Sequence, residues 1–158
     1  MRVLITGATG LIGQEIVQLC HKKDIEVNYL TTNKYKLLQT ENYKGFYWNP
    51  KEKEIDSKCL QGVDAIINLA GATVSKRWTP KYKTEIIASR TETINLLINT
   101  LKSTKHAVKQ IVSASAIGIY PDSLTNYYDQ SYSEISPSFL GEVVSSWEQA
   151  VDQFSKLN

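Results

Sequence analysis

The amino-acid sequence predicts an α/β fold in which a doubly wound, mainly parallel sheet lies between two layers of helices. Short apolar and β-branched runs alternate along the chain with segments whose apolar residues recur at helical spacing. Several of the runs end in turns of small residues, which is typical of strands that lead into helices. Because 42% of the 158 residues are hydrophobic, we expect one three-layer (αβα) domain over residues 1–158.

The chain opens with a strand-helix-strand unit. Residues 3–6 are apolar and β-branched and stop at Gly7, and residues 11–19 then carry apolar side chains at helical spacing. A second strand is predicted at residues 26–31, after a short charged stretch. The two strands of such a unit pair in parallel.

The middle of the chain is less regular. Residues 34–54 are polar and rich in Tyr, so we expect a long connection of modest order, with one further strand at 45–48 that Asn49-Pro50 ends. Residues 64–69 form an unbroken apolar run, the composition of a strand that is buried on both faces of a parallel sheet. This strand runs into the small-residue turn Ala70-Gly71-Ala72.

The last part of the chain predicts two helices around one strand. Thr79 is a helix cap and Pro80 suits the first position of a helix that reaches about residue 102. A strand follows at 109–115, and residues 118–137 are expected to form a long loop. Ser138 is then expected to cap a final helix, whose apolar side carries Val143, Trp147, Val151 and Phe154.

Charge and composition exclude several classes of function. The 18 basic and 16 acidic residues give a net charge of +2 and are spread along the chain, so no nucleic-acid partner is expected. No apolar run approaches the roughly 20 residues of a membrane helix, and the N-terminus lacks a signal-peptide pattern, so we expect a cytoplasmic protein. Cys20 and Cys59 lie in unrelated segments, which indicates structural roles and no metal site.

The turn between the first strand and first helix predicts a dinucleotide site. Residues 6–13 read TGATGLIG, with the glycine spacing GxxGxxG. Gly7 allows a tight turn, Gly10 lets a pyrophosphate approach the backbone, and Gly13 allows close packing of helix on strand. The helix N-terminus offers N–H groups and partial positive charge to phosphates. The pattern therefore predicts a Rossmann-type site, with cofactor contacts at Gly7, Thr9, Gly10, Leu11, Ile12 and Gly13.

The end of the second strand bears on the choice of cofactor. An Asp or Glu there would bind the ribose hydroxyls of NAD, but residues 30–34 read LTTNK and contain no acid. Lys34 or Lys36 would attract the 2′-phosphate of NADP, with Thr31 and Thr32 beside it. These residues favour NADP over NAD; the alternative is that both lysines are solvated surface charges.

With these motifs in view, the chain resembles the extended short-chain dehydrogenase/reductase superfamily, which contains the NAD-dependent epimerases and dehydratases. Further motifs, in the same order along the chain, resemble an epimerase-like subfamily that is also labelled as cell-division-inhibitor relatives. They are residues 62–71 (GVDAIINLAG), 76–79 (KRWT), 89–90 (SR), 113–116 (SASA) and 147–148 (WE). The resemblance covers essentially the whole chain and implies that Leu69, Ala70 and Gly71 lie beside the cofactor.

The resemblance also implies a catalytic serine after the fifth strand of that fold. Ser115 matches this position best and Ser113 second, and Ser113 is also expected to contact the cofactor. The superfamily pairs the serine with Tyr-x-x-x-Lys on the next helix, where the cation lowers the pKa of the Tyr hydroxyl. Here residues 138–144 read SFLGEVV, so Phe or Leu stands for Tyr and Val for Lys. Tyr120, Tyr127, Tyr128 and Tyr132 lie nearby without a lysine at that spacing and are interpreted as packing or loop residues.

The resemblance further implies that a C-terminal half, which supplies much of the substrate pocket, is missing from this sequence. We expect either a fragment or a truncated gene, and a chain that binds cofactor better than it turns over substrate. The predicted function is an NAD(P)-binding domain of an epimerase/dehydratase-like oxidoreductase. It would act on a small molecule of the sugar-nucleotide type, and a homodimer is the assembly considered. The alternatives are a non-catalytic NAD(P) sensor or regulatory module, or an interaction domain without ligand.

The sequence leaves the roles of the segment 76–78 and of Arg90 undecided. Lys76, Arg77 and Trp78 follow the strand at 64–69, on the sheet edge where open α/β folds bind ligands. Either they contact substrate, or Trp78 anchors the loop against the next helix while both cations stay in solvent. Arg90 lies in the middle of a predicted helix, where we expect an ion pair or an exposed position.

Overall fold

A computed structural model describes residues 1–157 and shows one six-stranded sheet in the order β4-β3-β2-β1-β5-β6. Residue 158, the last of the predicted domain, lies outside the described residues. All neighbouring strands pair in parallel except β4, which is antiparallel to β3. The strands are β1 (Arg2–Thr6), β2 (Glu26–Thr31), β3 (Tyr43–Asn49), β4 (Glu54–Ile55), β5 (Ala65–Asn68) and β6 (Gln110–Ser113).

Within the described residues, three α-helices accompany the sheet: α1 (Leu11–Lys22), α2 (Pro80–Ser103) and α3 (Phe139–Asp152). The predicted caps are confirmed, because the Thr79 hydroxyl accepts from the backbone N–H of Tyr82 at 3.2 Å, and the Ser138 hydroxyl accepts from Gly141 at 3.2 Å. No helix within residues 1–157 has the length and apolar character that a membrane crossing requires.

The two faces of the sheet bury different helices, which confirms the doubly wound, three-layer prediction. Alternate residues of β1 point to opposite faces. Val3 and Ile5 pack with α1 residues such as Ile16, whereas Leu4 packs with α2 residues such as Leu97. α3 then packs on α2 through a separate apolar cluster that contains Ile94, Ile98, Trp147 and Ala150.

The prediction of modest order for residues 34–54 is wrong, and the strand suggested within it is longer than expected. β3 pairs with β2 over five residues. The hydroxyl of Tyr29 donates to the carbonyl of Lys36 at 2.6 Å and accepts from the N–H of Leu38 at 2.9 Å, which fixes the chain between the strands. A Cβ at Gly45 would lie 2.5 Å from the Tyr29 hydroxyl, so this position has room only for glycine. The segment reads as polar because β3 lies near the sheet edge, where half-buried side chains are tolerated.

Buried hydrogen bonds tie together the C-terminal ends of β1, β5 and β6. The Thr6 hydroxyl donates to Asn68 Oδ1 at 2.8 Å and accepts from the N–H groups of Leu69 and Ala70 at 3.1 Å each. Asn68 Nδ2 in turn donates to the hydroxyl of Ser113 at 3.0 Å. Thr6 and Asn68 have no exposed surface. Because water cannot replace these bonds, the network fixes the starts of the loops that follow the three strands.

Replacing Thr6 with Val keeps the shape of the side chain but removes the hydroxyl that makes these three hydrogen bonds. Asn68 Oδ1 and the N–H of Ala70 lose a partner in a buried place, so we expect the free energy of unfolding to fall by about 2–4 kcal/mol. Urea unfolding followed by circular dichroism measures the change. Thr100→Val is the matched control, because the buried Thr100 hydroxyl only donates back to the helix carbonyl of Leu96, and it should cost less than about 1 kcal/mol. Equal losses in the two variants would contradict the assigned role of Thr6.

Candidate functional site

A cleft of about 660 Å³ opens at the C-terminal ends of the parallel strands. β1 lies at the centre of the sheet, and the chain builds outward from it first through β2 and then through β5 on the other side. Open α/β sheets bind ligands at this reversal of strand order. The cleft is lined by the glycine turn, the ends of β2 and β3, the loop after β5 and one side of α2. Its lining includes Gly7, Thr9, Gly10, Thr31, Thr32, Tyr47, Trp48, Leu69, Ala70, Gly71, Glu85 and Ser89.

The glycines of the turn do different jobs. Gly7 has a φ of 74°, a backbone conformation that favours glycine, and its carbonyl accepts a hydrogen bond from the N–H of Gly10 at 2.9 Å, which closes the turn. A Cβ at Gly13 would lie 2.2 Å from the Gly7 carbonyl oxygen, so Gly13 allows α1 to pack on the turn. A Cβ at Gly10 would meet only that carbonyl, at 3.2 Å, and would otherwise project into open space. Gly10 is therefore the glycine that leaves room for a ligand.

The first turn of α1 presents unpaired backbone N–H groups. The first hydrogen bond of the helix runs from Gln14 to the carbonyl of Gly10, at 2.9 Å. The N-cap residue is Gly10 and supplies no side-chain cap, so the N–H groups of Leu11, Ile12 and Gly13 have no partner within the described chain. The side chains of Leu11 and Ile12 are 88% and 65% exposed and do not line the cleft. Any contact these residues make with a ligand there would be through backbone N–H groups.

The loop after β5 forms the opposite wall and is held by α2. The N–H of Ala72 donates to the Ser89 hydroxyl at 2.9 Å, and Arg90 Nη1 donates to the Ala72 carbonyl at 3.3 Å. A Cβ at Gly71 would lie 3.0 Å from Arg90 Cζ. Small residues at 70–72 thus let the loop lie between the cleft and the guanidinium. Ser89 and Arg90 belong to a motif noted in the sequence, but their support of this loop was not predicted.

The expectation of an ion pair or an exposed position for Arg90 is wrong. The guanidinium is half-buried, lies 5.1 Å from the Trp147 ring and also donates to the carbonyl of Ile86 at 2.9 Å. Within residues 1–157 no Asp or Glu forms an ion pair with it. Burial lowers the pKa of Arg90 below its ordinary value. Carbonyl oxygens and an aromatic face satisfy this cation in place of a carboxylate.

The end of the cleft beside β2 and β3 carries no acid from β2. Thr31 is buried, and its hydroxyl accepts from the N–H of Asn33 at 3.1 Å, while Thr32 lines the cleft. Lys34 lies outside the lining, with its ammonium 4.5 Å from the centre of the Tyr47 ring, and Tyr47 does line it. The positions of these residues fit a site for the adenosine end of a dinucleotide.

The edge of the cleft beside β3 is formed by residues that were not predicted from the sequence. Tyr47 and Trp48 come from β3, which was read mainly as a connection. Lys51 reaches across to Glu85 of α2 at 2.7 Å, and the pair raises the pKa of Lys51. The strand of aromatic residues that ends at Asn49-Pro50 was the signal available in the sequence.

The two candidate serines lie outside the cleft lining and differ in environment. The Ser113 hydroxyl is taken up by the network, because it accepts from Asn68 and donates to the carbonyl of Ala114 at 3.1 Å. Ser115 is exposed, and its hydroxyl donates to Glu148 Oε1 of α3. Glu148 belongs to the noted WE motif, but no role for it was predicted. Of the two serines, only Ser115 has its hydroxyl on an exposed surface.

The first turns of α3 contain no Tyr or Lys. The Phe139 ring lies 5.2 Å from the Trp78 ring, and Val143 and Val144 are buried. Tyr120, Tyr128 and Tyr132 form an aromatic cluster with one another in the loop before α3. This agrees with the interpretation of these tyrosines as packing residues.

The loop at 73–79 is anchored by its own Trp78 and by Tyr82 of α2. Trp78 Nε1 donates to the carbonyl of Val74 at 2.8 Å, and the Tyr82 hydroxyl donates to the carbonyl of Thr73 at 2.7 Å. Lys76 lies over the Tyr82 ring at 5.4 Å. The contacts of Trp78 therefore agree with the alternative in which this residue anchors the loop. In the part of the chain that the structure describes, no three His, Cys, Asp or Glu side chains come together as a metal site.

Comparison with known proteins places this fold in a family. The family model described as the NAD dependent epimerase/dehydratase family matches residues 3–139. An epimerase family protein of Staphylococcus aureus (strain MRSA252) is 37% identical over 154 residues, which are 98% of this chain and 50% of that protein. One of Staphylococcus haemolyticus is 34% identical over 151 residues, covering 96% of this chain and 49% of the relative. The chain spans about half the length of the curated relatives it matches.

Solved structures show the same fold. A human epimerase family protein (SDR39U1), solved with NADPH, is 28% identical, with a TM-score of 0.75 over 95% of this chain and 48% of the human one. A UDP-glucuronic acid 4-epimerase of Bacillus cereus, solved with UDP-glucuronic acid and NAD, is 19% identical, with a TM-score of 0.77 over 99% of this chain and 52% of that one. The second likeness shows the fold alone. On the match over residues 3–139 and the relatives that share it, the chain belongs to the NAD dependent epimerase/dehydratase family.

Proposed function

We propose that this chain is the NAD(P)-binding part of an epimerase/dehydratase-like oxidoreductase. The observation that carries the proposal is the first turn of α1, whose unpaired N–H groups at residues 11–13 directly follow Gly10, a residue of the cleft lining. A helix N-terminus of this kind attracts phosphate through both its N–H groups and its dipole. Family membership gives this anion site its expected occupant, a nicotinamide dinucleotide.

The residues present fit each part of such a cofactor. Gly7, Gly10 and the N–H groups of residues 11–13 would hold the pyrophosphate. Thr31, Thr32 and the aromatic side chains of β3 would adjoin the adenosine, and residues 69–71 would lie along the nicotinamide half. When bound, the cofactor supplies hydride transfer at its nicotinamide ring. The role of the protein is to orient that ring and to handle the accompanying proton.

The substrate class is proposed for the whole protein, of which the chain spans about half by comparison with its relatives. The support is a structural neighbour that binds a sugar nucleotide together with NAD. We propose a small molecule of the sugar-nucleotide type, with the exposed Ser115 hydroxyl as the catalytic contact to its reacting oxygen and Ser113 as a support for the strand end. A homodimer and a separate C-terminal substrate domain stay predictions.

A second function, a non-catalytic NAD(P) sensor or regulatory module, has one observation in its favour. Phe139, Val143 and Val144 stand where the superfamily pair of Tyr and Lys is expected. Both functions require cofactor binding, and only the first requires hydride transfer. A hydride-transfer assay therefore separates them once binding is established.

Substitution of Gly10 tests the cofactor site. Ala and then Val at this position would place one and then three carbon atoms where a pyrophosphate must approach, so we expect the dissociation constant for NADP to rise about tenfold or more for Val, with Ala intermediate. Trp48 lines the cleft, so energy transfer from tryptophan to NADPH measures binding. The fold should survive, since only the Gly7 carbonyl lies near the new Cβ.

Gly118→Ala is the control for this series, because Gly118 lies in a short turn after β6 and outside the cleft lining, and its new Cβ would make a tight contact of 3.0 Å with Leu140 instead of entering the cleft. It should bind NADP like the wild-type chain. Unchanged affinity in Gly10→Val, with a wild-type melting temperature, would contradict the proposed site.

Substitution of Lys34 tests the preference for NADP. Lys34→Met removes the cation beside Tyr47 and the β2 end, so we expect NADP to bind several-fold more weakly and NAD to bind as before. The loss should shrink at high salt, because screening already weakens the contact in the wild-type chain. Isothermal titration with both cofactors at two salt concentrations gives the comparison.

The matched control is Lys36→Met, which removes the same charge two residues away. The carbonyl of Lys36 is the part of that residue that the fold uses, so its side chain is dispensable. Equal losses for NAD and NADP, or an equal effect of Lys36→Met, would refute the assignment to Lys34.

A further inference from the structure

Ser115 and Glu148 form a hydrogen-bonded pair at the sheet edge where the strands end. Ser115 lies two residues beyond β6, and its hydroxyl donates to Glu148 Oε1 across 33 residues of sequence. Among residues 1–157 no other hydrogen bond reaches the Glu148 carboxylate. Of the two candidate serines, the one with the exposed hydroxyl, Ser115, is therefore hydrogen-bonded to a group that can accept a proton, the Glu148 carboxylate.

The surroundings of Glu148 connect it to the cleft. Trp147, the preceding residue, lies 5.1 Å from the Arg90 guanidinium, and the same guanidinium is packed against Gly71, which lines the cleft. Ala114, the residue before Ser115, packs on the cluster that contains Trp147. Glu148 and Ser115 are thus held beside the residues that support the loop after β5, at the end of the site away from Lys34 and Tyr47.

We propose that Glu148 orients the Ser115 hydroxyl and exchanges a proton with it, and that this pair performs the proton transfer for which α3 offers no Tyr and Lys. The inference rests on the proposed function. The other Glu of α3, Glu142, lies instead in the groove between α2 and α3 with Lys83 and Phe139. No other carboxylate of the described residues hydrogen-bonds Ser115.

The transfers balance in both directions. When a substrate alcohol is oxidised, its C–H bond breaks and the hydride passes to an oxidised nicotinamide dinucleotide. The O–H proton passes to Ser115 Oγ as the Ser115 proton passes to the Glu148 carboxylate. When a carbonyl is reduced, the protonated Glu148 gives its proton to Ser115, whose own proton passes to the carbonyl oxygen, while hydride arrives from the reduced dinucleotide. The relay keeps Ser115 neutral throughout, since proton gain and loss occur together.

Substitution of Glu148 by Gln separates orientation from proton transfer. Gln has the same length and still accepts a hydrogen bond from Ser115, but its amide cannot take up the proton. The test measures single-turnover hydride transfer from NADPH to an activated ketone, trifluoroacetophenone, by the 158-residue chain. We expect E148Q and S115A each to slow the transfer by on the order of 100-fold, and the double variant to be no slower than either single one. E148D should recover part of the rate, and E142Q should match the wild-type chain.

Two readouts other than rate accompany this experiment. The solvent deuterium isotope effect should be larger in the wild-type chain than in E148Q, because only the wild-type transfer moves the Ser115 proton to a carboxylate. The carboxyl 13C resonance of Glu148, assigned by its loss in E148Q, should shift in S115A and on addition of NADP, but not on addition of ADP. The corresponding resonance of Glu142 should stay in place in every case.

The outcomes distinguish this inference from the proposed function. If the wild-type chain binds neither dinucleotide, the proposed function fails. If it binds NADP and E148Q transfers hydride to the ketone at the wild-type rate, the proton-transfer pair is overturned while the cofactor site stands. A Glu148 carboxyl resonance that shifts neither in S115A nor on addition of NADP would also overturn the pair.

Discussion

The hydroxyl of Thr6 is the interaction on which the site depends. It makes three hydrogen bonds at the last residue of β1, one to Asn68 and two from the loop after β5. The glycine turn starts at the next residue, so one buried group sets both walls of the cleft. A hydroxyl is suited to this position because it donates and accepts at once. An apolar side chain of the same shape would leave the N–H of Ala70 without a partner.

The charged groups of the site differ from one end of the cleft to the other. The N–H groups of α1 provide a positive end near the centre of the sheet, and Lys34 and Lys51 lie toward β2 and β3. Glu85 neutralises Lys51 at the rim, whereas the half-buried Arg90 is satisfied by carbonyl oxygens and an aromatic face. The carboxylate of Glu148 lies at the opposite end, next to Ser115. A dinucleotide has a matching arrangement. Its phosphates lie at its centre, its adenosine lies at one end and its reacting ring lies at the other.

Much of this organisation is readable from the sequence because it rests on local signals. The strand at 26–31 agrees with the structure to the residue, and Thr79 and Ser138 cap their helices as predicted. The glycine turn could be assigned because its three glycines recur at a fixed spacing directly between a strand and a helix. β3 was only partly recognised, since its residues are half-buried and its pairing with β2 is a long-range property.

The parts of the site that the sequence did not reveal are contacts between distant segments. The support of the β5 loop by Arg90 and the pairing of Ser115 with Glu148 join residues that only the packing of α2 and α3 brings together. Arg90 was misjudged because a mid-helix arginine is usually solvated, and the small residues at 70–72 that admit it belong to another element. Periodicity locates such helices but does not say which of their polar residues face the ends of strands.

The most direct test of the account is amide NMR of the 15N-labelled chain during titration with NADP. If the first turn of α1 holds the pyrophosphate, the N–H resonances of Leu11, Ile12 and Gly13 should show the largest shifts, and ADP should reproduce most of them. Saturable binding that leaves these three resonances in place, with the shifts confined to other parts of the chain, would contradict the central claim.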